Sequence, residues 1–319
     1  MHDTTTAPPD AATAASAASM AGSPLPPNMP SGRSWERARQ DIALGLSQRQ
    51  LWGHLGWQDI KQKYRRSVIG PLWITLSMAV TAVGLGLLYS QLFGAPIGTF
   101  LPYVTVGFIV WNFILGCITD GADTFITNEG LIKHLPAPLT VYALRTVWRQ
   151  TLMFLHNLLV YLVVVVVFFG PLTTEGYTMV DNGDPQPGLS VAALLAIPAF
   201  LLIALNGAWV VLLFGIVSTR FRDIPPVVTS LASLLFFITP IVWTPDVLTR
   251  ISGTGDGQWR ILIAELNPIY HFVELIRAPM IGNEQSWHHW VVVAGFTVVG
   301  WTLALFALRN YRARVSYWV

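Results

Sequence analysis

The sequence predicts an all-α, polytopic membrane protein. Six transmembrane helices are expected, with an N-terminal interfacial amphipathic helix and short outer re-entrant or gate helices. Three observations predict this. Of 319 residues, 53% are hydrophobic and only 11% charged, whereas soluble globular chains carry about 25% charged residues. The charges are gathered into clusters, leaving five long charge-free stretches. The cations are also divided unequally between alternate clusters.

Each element follows in chain order. Residues 1–32 are rich in Ala, Thr, Ser and Pro and hold no Lys or Arg. They lack the basic start and apolar core of a signal peptide, and read as a disordered tail. Residues 33–66 form the interfacial region. Trp57, Ile60, Tyr64 and Val68 recur at helical spacing with Lys61, Lys63, Arg65 and Arg66 on the flanks. That pattern suits a helix lying on the cytoplasmic leaflet.

A charge at the bilayer centre costs roughly 2.5–3.5 kcal/mol, so charge-free runs locate the spans. Ser67–Thr119 is long enough for two helices, with Gly94-Ala-Pro96-Ile-Gly98 as the turn between them. Gln150–Thr174, Pro185–Thr219, Ile224–Pro245 and Gln285–Leu308 hold one span each. The six spans fall at about 68–93, 100–118, 151–169, 191–217, 224–243 and 289–308, within a transmembrane domain of 67–308. A basic tail, 309–319, follows. Sixteen Lys and Arg lie on the side of both termini and three on the other side, which carries eight acids. The positive-inside rule then places both termini in the cytoplasm.

Several chemistries are disfavoured. The single cysteine, Cys117, allows no internal disulfide and no cysteine-based metal site. None of the three lysines follows a glycine, so there is no GxxxxGK[ST] phosphate loop, and any ATP must be bound by another chain. His156, in the third span, reads as a hydrogen-bonded structural residue rather than a proton relay. Asp120-Gly-Ala-Asp123 resembles half of a metal-diphosphate motif. Its only companion pair, Asp181 and Asp184, sits on the opposite side, which argues against an intramembrane transferase.

Two polar segments invite function. Between the second and third spans, Asn128-Glu-Gly, Leu131-Ile132, Pro136 and Pro138 break the chain into short helices that expose apolar residues, as a docking surface would. On the other side, Asn267 is a good N-cap and Pro268 suits the first helical position. Ile269, Phe272, Val273 and Ile276 share one face of that helix, His271, Glu274 and Arg277 interrupt it, and Pro279 is expected to end it.

In order along the chain come WQDIKQKYRRSVIGPLW, NEGLIKHLPAPL, FRDIPPVV followed by FFITPIVW, LNPIYHFVELIR, and the tail RNYRARVSYWV. From about Trp52 to Val319 this resembles the ABC-2 type permease family, and within it the membrane subunits of ABC exporters for lipid-linked polysaccharides (O-antigen, teichoic acid, capsule, galactan). The first 32 residues and the outer loop Gly170–Ser190 lie outside the pattern.

The resemblance implies an inner-membrane homodimer that works with two copies of a separate ABC ATP-binding subunit. ATP and Mg would sit in that subunit, and this chain would hold no cofactor and no catalytic residue. Membrane lipids and the lipid-linked glycan are the other expected partners, and no nucleic acid is. Coupling to the ATPase maps onto Asn128, Glu129, Leu131, Ile132, Lys133 and Leu135, with Arg220, Arg222 and Asp223. The helix from Trp52 to Arg66 matches the family's interfacial helix, where Lys61, Lys63, Arg65 and Arg66 would meet the carrier headgroup. The segment Trp259–Ile281 matches its outer gate, with Asn267, Pro268, Phe272, Glu274 and Arg277. A sugar polymer slides well over aromatic faces. Trp111, Phe236 and Phe237, nearest mid-span, are the expected channel aromatics. The alternatives are a drug-exporting ABC-2 permease and, behind it, the transferase.

Overall fold

The computed structural model describes residues 33–65, 67–70, 72–134, 137–178, 185–245 and 258–319. The tail expected to be disordered, residues 1–32, lies outside the described residues, as do Arg66 and Leu135. Every regular element among the described residues is helical.

The interfacial region is two helices, α1 (Trp35–Ser47) and α2 (Arg49–Lys63), separated at Gln48. Both pack against α6 (Leu139–Val167). A side chain on Gly45 would come within 2.6 Å of Thr140, and one on Gly56 within 2.9 Å of Trp148. The expected stripe is therefore cut short. Ile60 is fully buried, but α2 stops at Lys63, and Val68 lies beyond it, fully exposed.

The long helices follow. They are α3 (Leu72–Phe93), α4 (Ile97–Thr127), the short α5 (Glu129–His134), α6 and the short α7 (Phe169–Thr173). A 3-10 turn at Val191–Leu195 leads into α8 (Ala196–Arg220), then α9 (Ile224–Ile238), α10 (Gln258–Glu265), α11 (Pro268–Ile281) and α12 (Trp287–Trp318). Among the described residues five helices, α3, α4, α6, α8 with its 3-10 turn, and α12, are long and apolar enough to cross a membrane. Their outward faces carry exposed Leu, Val and Phe, such as Leu87, Val163, Leu201 and Val298, as expected where lipid is the solvent. This is a multi-pass membrane protein.

The sixth expected position is α9. Its 15 residues rise about 22 Å, short of the roughly 30 Å hydrocarbon core. The expected span to residue 243 is helical only through Ile238, because Pro240 cannot continue the hydrogen-bond ladder. The freed carbonyls are satisfied by side chains. Trp243 Nε1 donates to Phe237 O (3.2 Å), Arg277 Nη1 to Pro240 O (2.7 Å) and Tyr103 Oη to Trp243 O (3.1 Å). Non-helical backbone at this depth is tolerated only where protein supplies such partners.

Helix α4 is the hub and touches α3, α6, α8, α9 and α11. Glycines let its neighbours come close. A Cβ on Gly116 would meet Gln150 Oε1 at 2.3 Å, and one on Gly215 of α8 would meet the Phe125 ring at 2.9 Å. The helices overrun the charge-free windows at the end near α5. There α4 continues through Asp120 and Asp123, and α6 begins twelve residues before Thr151. Asp120 there pairs with Arg149 across the two helices instead of facing lipid. At the same end α1 meets the last turns of α12, with Arg309 over Trp35 at 4.8 Å.

Candidate functional site

Just inside the α5 end, a polar network ties three elements together. Arg145 of α6 spans Asp59 of α2 with a fork, donating from Nε at 2.9 Å and from Nη2 at 2.6 Å. Its Nη1 donates to Asn128 Oδ1 at 2.9 Å. Two parallel charge-assisted bonds fix a guanidinium more tightly than a single ammonium contact does. Thus the residue that opens α5 is joined through one side chain to the interfacial helix. Arg149 bridges Asp59 and Asp120, and Gln150 Nε2 donates to Asp120 at 2.6 Å. Asp120 is thereby committed to internal pairing. Asp59, Asp120, Asn128, Arg145 and Arg149, with Lys63, line a cleft of about 410 Å³. Of the other expected carrier cations, Lys61 is exposed over Trp57 (5.6 Å), and Arg65 is exposed.

The two expected coupling elements are near enough that Arg222 acts electrostatically on Glu129. On α5, Glu129 and Lys133 pair at 2.6 Å, Leu131 is exposed, and Ile132 packs inward. Lys133 holds the Glu129 carboxyl below its usual pKa, and Arg222 adds to that pull. The α8–α9 turn is braced by the chain's last residues. Arg220 stacks over Trp318 at 5.3 Å, and Arg222 donates to the Trp318 carbonyl at 3.3 Å. Asp223 is exposed in the turn.

Among the channel aromatics, Trp111 is buried and meets Phe236 at 5.7 Å, while Phe237 stands 69% exposed on α9, 5.3 Å from Phe236. A second feature went unforeseen. Between α3, α4 and α6 runs a cleft of about 260 Å³ whose lining combines Phe108, Phe113 and Phe154 with Asn112, Gln150 and Asn157. The side-chain oxygen of Asn157 is buried and has no hydrogen-bond partner among the described residues. Amides in otherwise apolar spans were the signal that could have revealed it.

The expected gate helix, α11, is embedded rather than laid on the surface, and from Val273 to Ile281 every side chain is buried. Asn267 caps it, accepting from Ile269 N at 3.0 Å, and Pro268 takes the first turn. Phe272 packs edge-on against Phe296 of α12. Contrary to expectation, Pro279 does not end the helix. The Leu275 carbonyl, which loses its donor to this proline, accepts instead from Gln285 Nε2 at 3.0 Å. The helix runs to Ile281 and is closed by Gly282, whose φ of 76° is the left-handed conformation that favours glycine. Gly282 also touches Gly188 so closely that no side chain fits. Tyr177 donates to the Ile281 carbonyl at 2.6 Å, so described parts of the 170–190 loop fold over the end of α11.

Arg277 is fully buried. It pairs with Glu274, donates to Pro240 O and lies 3.7 Å over the Tyr103 ring. One guanidinium therefore joins α11, the break after α9, and the hub helix. The His156 ring, in contrast, bonds within its own helix, Nδ1 to Leu152 O at 2.7 Å, while Thr75 of α3 donates to the His156 carbonyl at 3.1 Å.

A family profile described as ABC-2 type transporter matches residues 50–281. The chain belongs to the ABC-2 type transporter family. Among curated proteins it is similar to an O-antigen export system permease protein RfbA of Klebsiella pneumoniae, 26% identical over 192 residues (60% of this chain, 68% of the relative). A second RfbA of that organism is 23% identical over 263 residues, covering 80% of this chain and 90% of the relative. The RfbA of Myxococcus xanthus is 23% identical over 212 residues, or 66% and 73%.

As an ABC-2 permease, the chain is the membrane subunit of an ABC exporter, and ATP hydrolysis belongs to a separate subunit. The matched region opens within α2 and closes at the end of α11, so it contains the Asp59–Arg145–Asn128 link and the Arg277 site. Sequence reasoning named Asn128, Glu274 and Arg277 but missed Asp59, Arg145 and Tyr103 as their partners, because those pairings join residues far apart in the chain.

Proposed function

We propose that this permease moves a lipid-linked polysaccharide from the cytoplasm across the inner membrane. Two copies form the path, and two ATP-binding subunits, which hold the ATP and Mg, drive it. On this reading both termini are cytoplasmic. The observation that carries it is the side-chain link Asn128–Arg145–Asp59, which joins the start of α5 to the interfacial helix. Glu129, Leu131 and Lys133 of α5, with Arg222 of the α8–α9 turn, would form the surface that meets the motor. From this surface, movement passes through Asn128 and Arg145 to Asp59 and the interfacial helix, whose Lys61, Lys63 and Arg65 would meet the carrier's phosphates.

The polymer assignment is supported by the O-antigen permeases it resembles and by the lining of the α3–α4–α6 cleft. Aromatic faces suit the C–H faces of sugars, and amides suit their hydroxyls. Trp111, Phe236 and Phe237 would extend this lining, and α11 would form the outer gate. The test is depletion of the protein in its host, with lipid-linked glycan measured separately inside the cell and at its surface. Polymer that accumulates inside and is lost outside is the expected result. Normal pools together with new sensitivity to hydrophobic toxins would refute the polymer assignment and favour a drug exporter.

A further inference from the structure

At the α11 end, three histidines converge from two helices. His271 comes from α11, and His288 and His289 from the first turn of α12. Each offers a ring nitrogen, and the three nitrogens lie within 4.8 Å of one another. A zinc ion bound by imidazole has Zn–N near 2.0–2.1 Å, which in tetrahedral geometry separates the nitrogens by about 3.3 Å. Small ring rotations therefore close the cluster on a single ion. Geometry and chemistry agree here, because the orientation of the central ring is already fixed. His271 Nε2 lies 2.7 Å from the Glu265 carbonyl, so it carries the hydrogen and donates it. That leaves the Nδ1 lone pair of His271 aimed at His289 Nδ1, 2.8 Å away. A histidine that donates one N–H to a backbone carbonyl and presents the other nitrogen inward is the arrangement of a metal-ligating imidazole.

The surroundings fit the same chemistry. His271 is buried and His289 is half-buried, while His288 is exposed. An ion held by the three would keep a fourth position open toward solvent, as three-histidine zinc sites do. Ser286 anchors the turn by accepting from His288 N at 3.3 Å, and this places both histidines beside α11.

We infer that His271, His288 and His289 form a binding site for a first-row transition dication, with zinc the fitting ion, which clamps α11 to the first turn of α12. The inference does not depend on the identity of the exported molecule. In the metal-free state, His289 Nδ1–H donates to His271 Nδ1. On binding, that proton moves to His289 Nε2 through solvent, and both Nδ1 lone pairs turn to the ion.

The experiment uses the full chain in detergent micelles, purified without a histidine tag and equilibrated against zinc chloride. The expected result is one zinc per chain. In H288Q/H289Q, affinity should fall at least 10-fold, a loss that even outer-shell changes at metal sites can reach. A monodisperse size-exclusion profile shows that this variant is folded. Should it fail to fold, the wild type decides alone. Cobalt added in place of zinc should give the visible absorption of a tetrahedral, nitrogen-rich site. Zinc well below one per chain, stoichiometric zinc retained by the variant through other histidines such as His54 or His134, or an octahedral cobalt spectrum would each overturn the site.

Discussion

Asp41 lies in α1 with its side chain fully buried, yet it serves the N-terminus of α6. Pro138, which precedes that helix, offers no side-chain cap. Asp41 supplies one from nearly a hundred residues away. Its Oδ2 accepts from Leu139 N at 3.2 Å, and its Oδ1 accepts from Thr140 N at 3.0 Å and Thr140 Oγ1 at 2.7 Å. Arg312 of α12 completes the site. Asp41→Ala would strand two helix-terminal N–H groups and a hydroxyl. Bonds to a charged acceptor contribute about 1.5–3 kcal/mol each, but one position of the Leu139 and Thr140 pair can rehydrate at the helix end. Arg312 is a third exposed and also recovers water, so its ion pair adds little. The net loss is about 3 kcal/mol, large against a total stability of roughly 5–15 kcal/mol.

In detergent, the thermal midpoint of the purified chain should fall by roughly 4–5 °C, read by tryptophan fluorescence. Asp41→Asn, which keeps a single acceptor oxygen, should fall by less. In a double-mutant cycle with Arg312→Ala, the coupling should be under about 1 kcal/mol. An unchanged midpoint in Asp41→Ala would refute the cap. A coupling above about 3 kcal/mol would refute the ranking of cap over ion pair.

Arg145→Lys should lose the fork to Asp59 and the bond to Asn128 together, costing about 1–3 kcal/mol. In the assembled transporter, transport should fall further than ATP hydrolysis, and proportional losses would sink the claim that Arg145 links motor to bundle. Arg277→Met should leave Glu274 buried without its partner, at about 3–5 kcal/mol. Arg277→Met/Glu274→Gln should recover most of this, and a double variant less stable than the single would contradict the pairing. Glu129→Lys or Arg222→Glu should weaken co-purification of the ATP-binding subunit. Wild-type ratios with normal hydrolysis in both would move the motor contact elsewhere.

How much was legible in the sequence depended on whether the physics was local. Charge-free runs located α3, α4, α6, α8 and α12, because the cost of a buried charge is set residue by residue. The Gly94–Gly98 turn, the break before α6 and the Asn267-Pro268 start of α11 were equally legible, since caps and prolines act on their own few residues. The short α9, the run of α11 past Pro279, and the separation of α1 from α2 were not. The first two depend on a donor from elsewhere, Tyr103 and Arg277 for the carbonyls after α9 and Gln285 for Leu275.

The sites divide the same way. That Asn128, Glu129, Arg222 and Arg277 are polar residues in telling places could be read along the chain. That Arg145 grips Asp59 and Asn128 at once, that Arg277 lies buried on Tyr103, and that His271 meets His288 and His289 could not. Sequence by itself determined which segments leave water, because burial free energy follows composition. Only the tertiary structure decided which acid meets which base and which imidazoles share a centre, because those pairings are fixed by how distant helices pack.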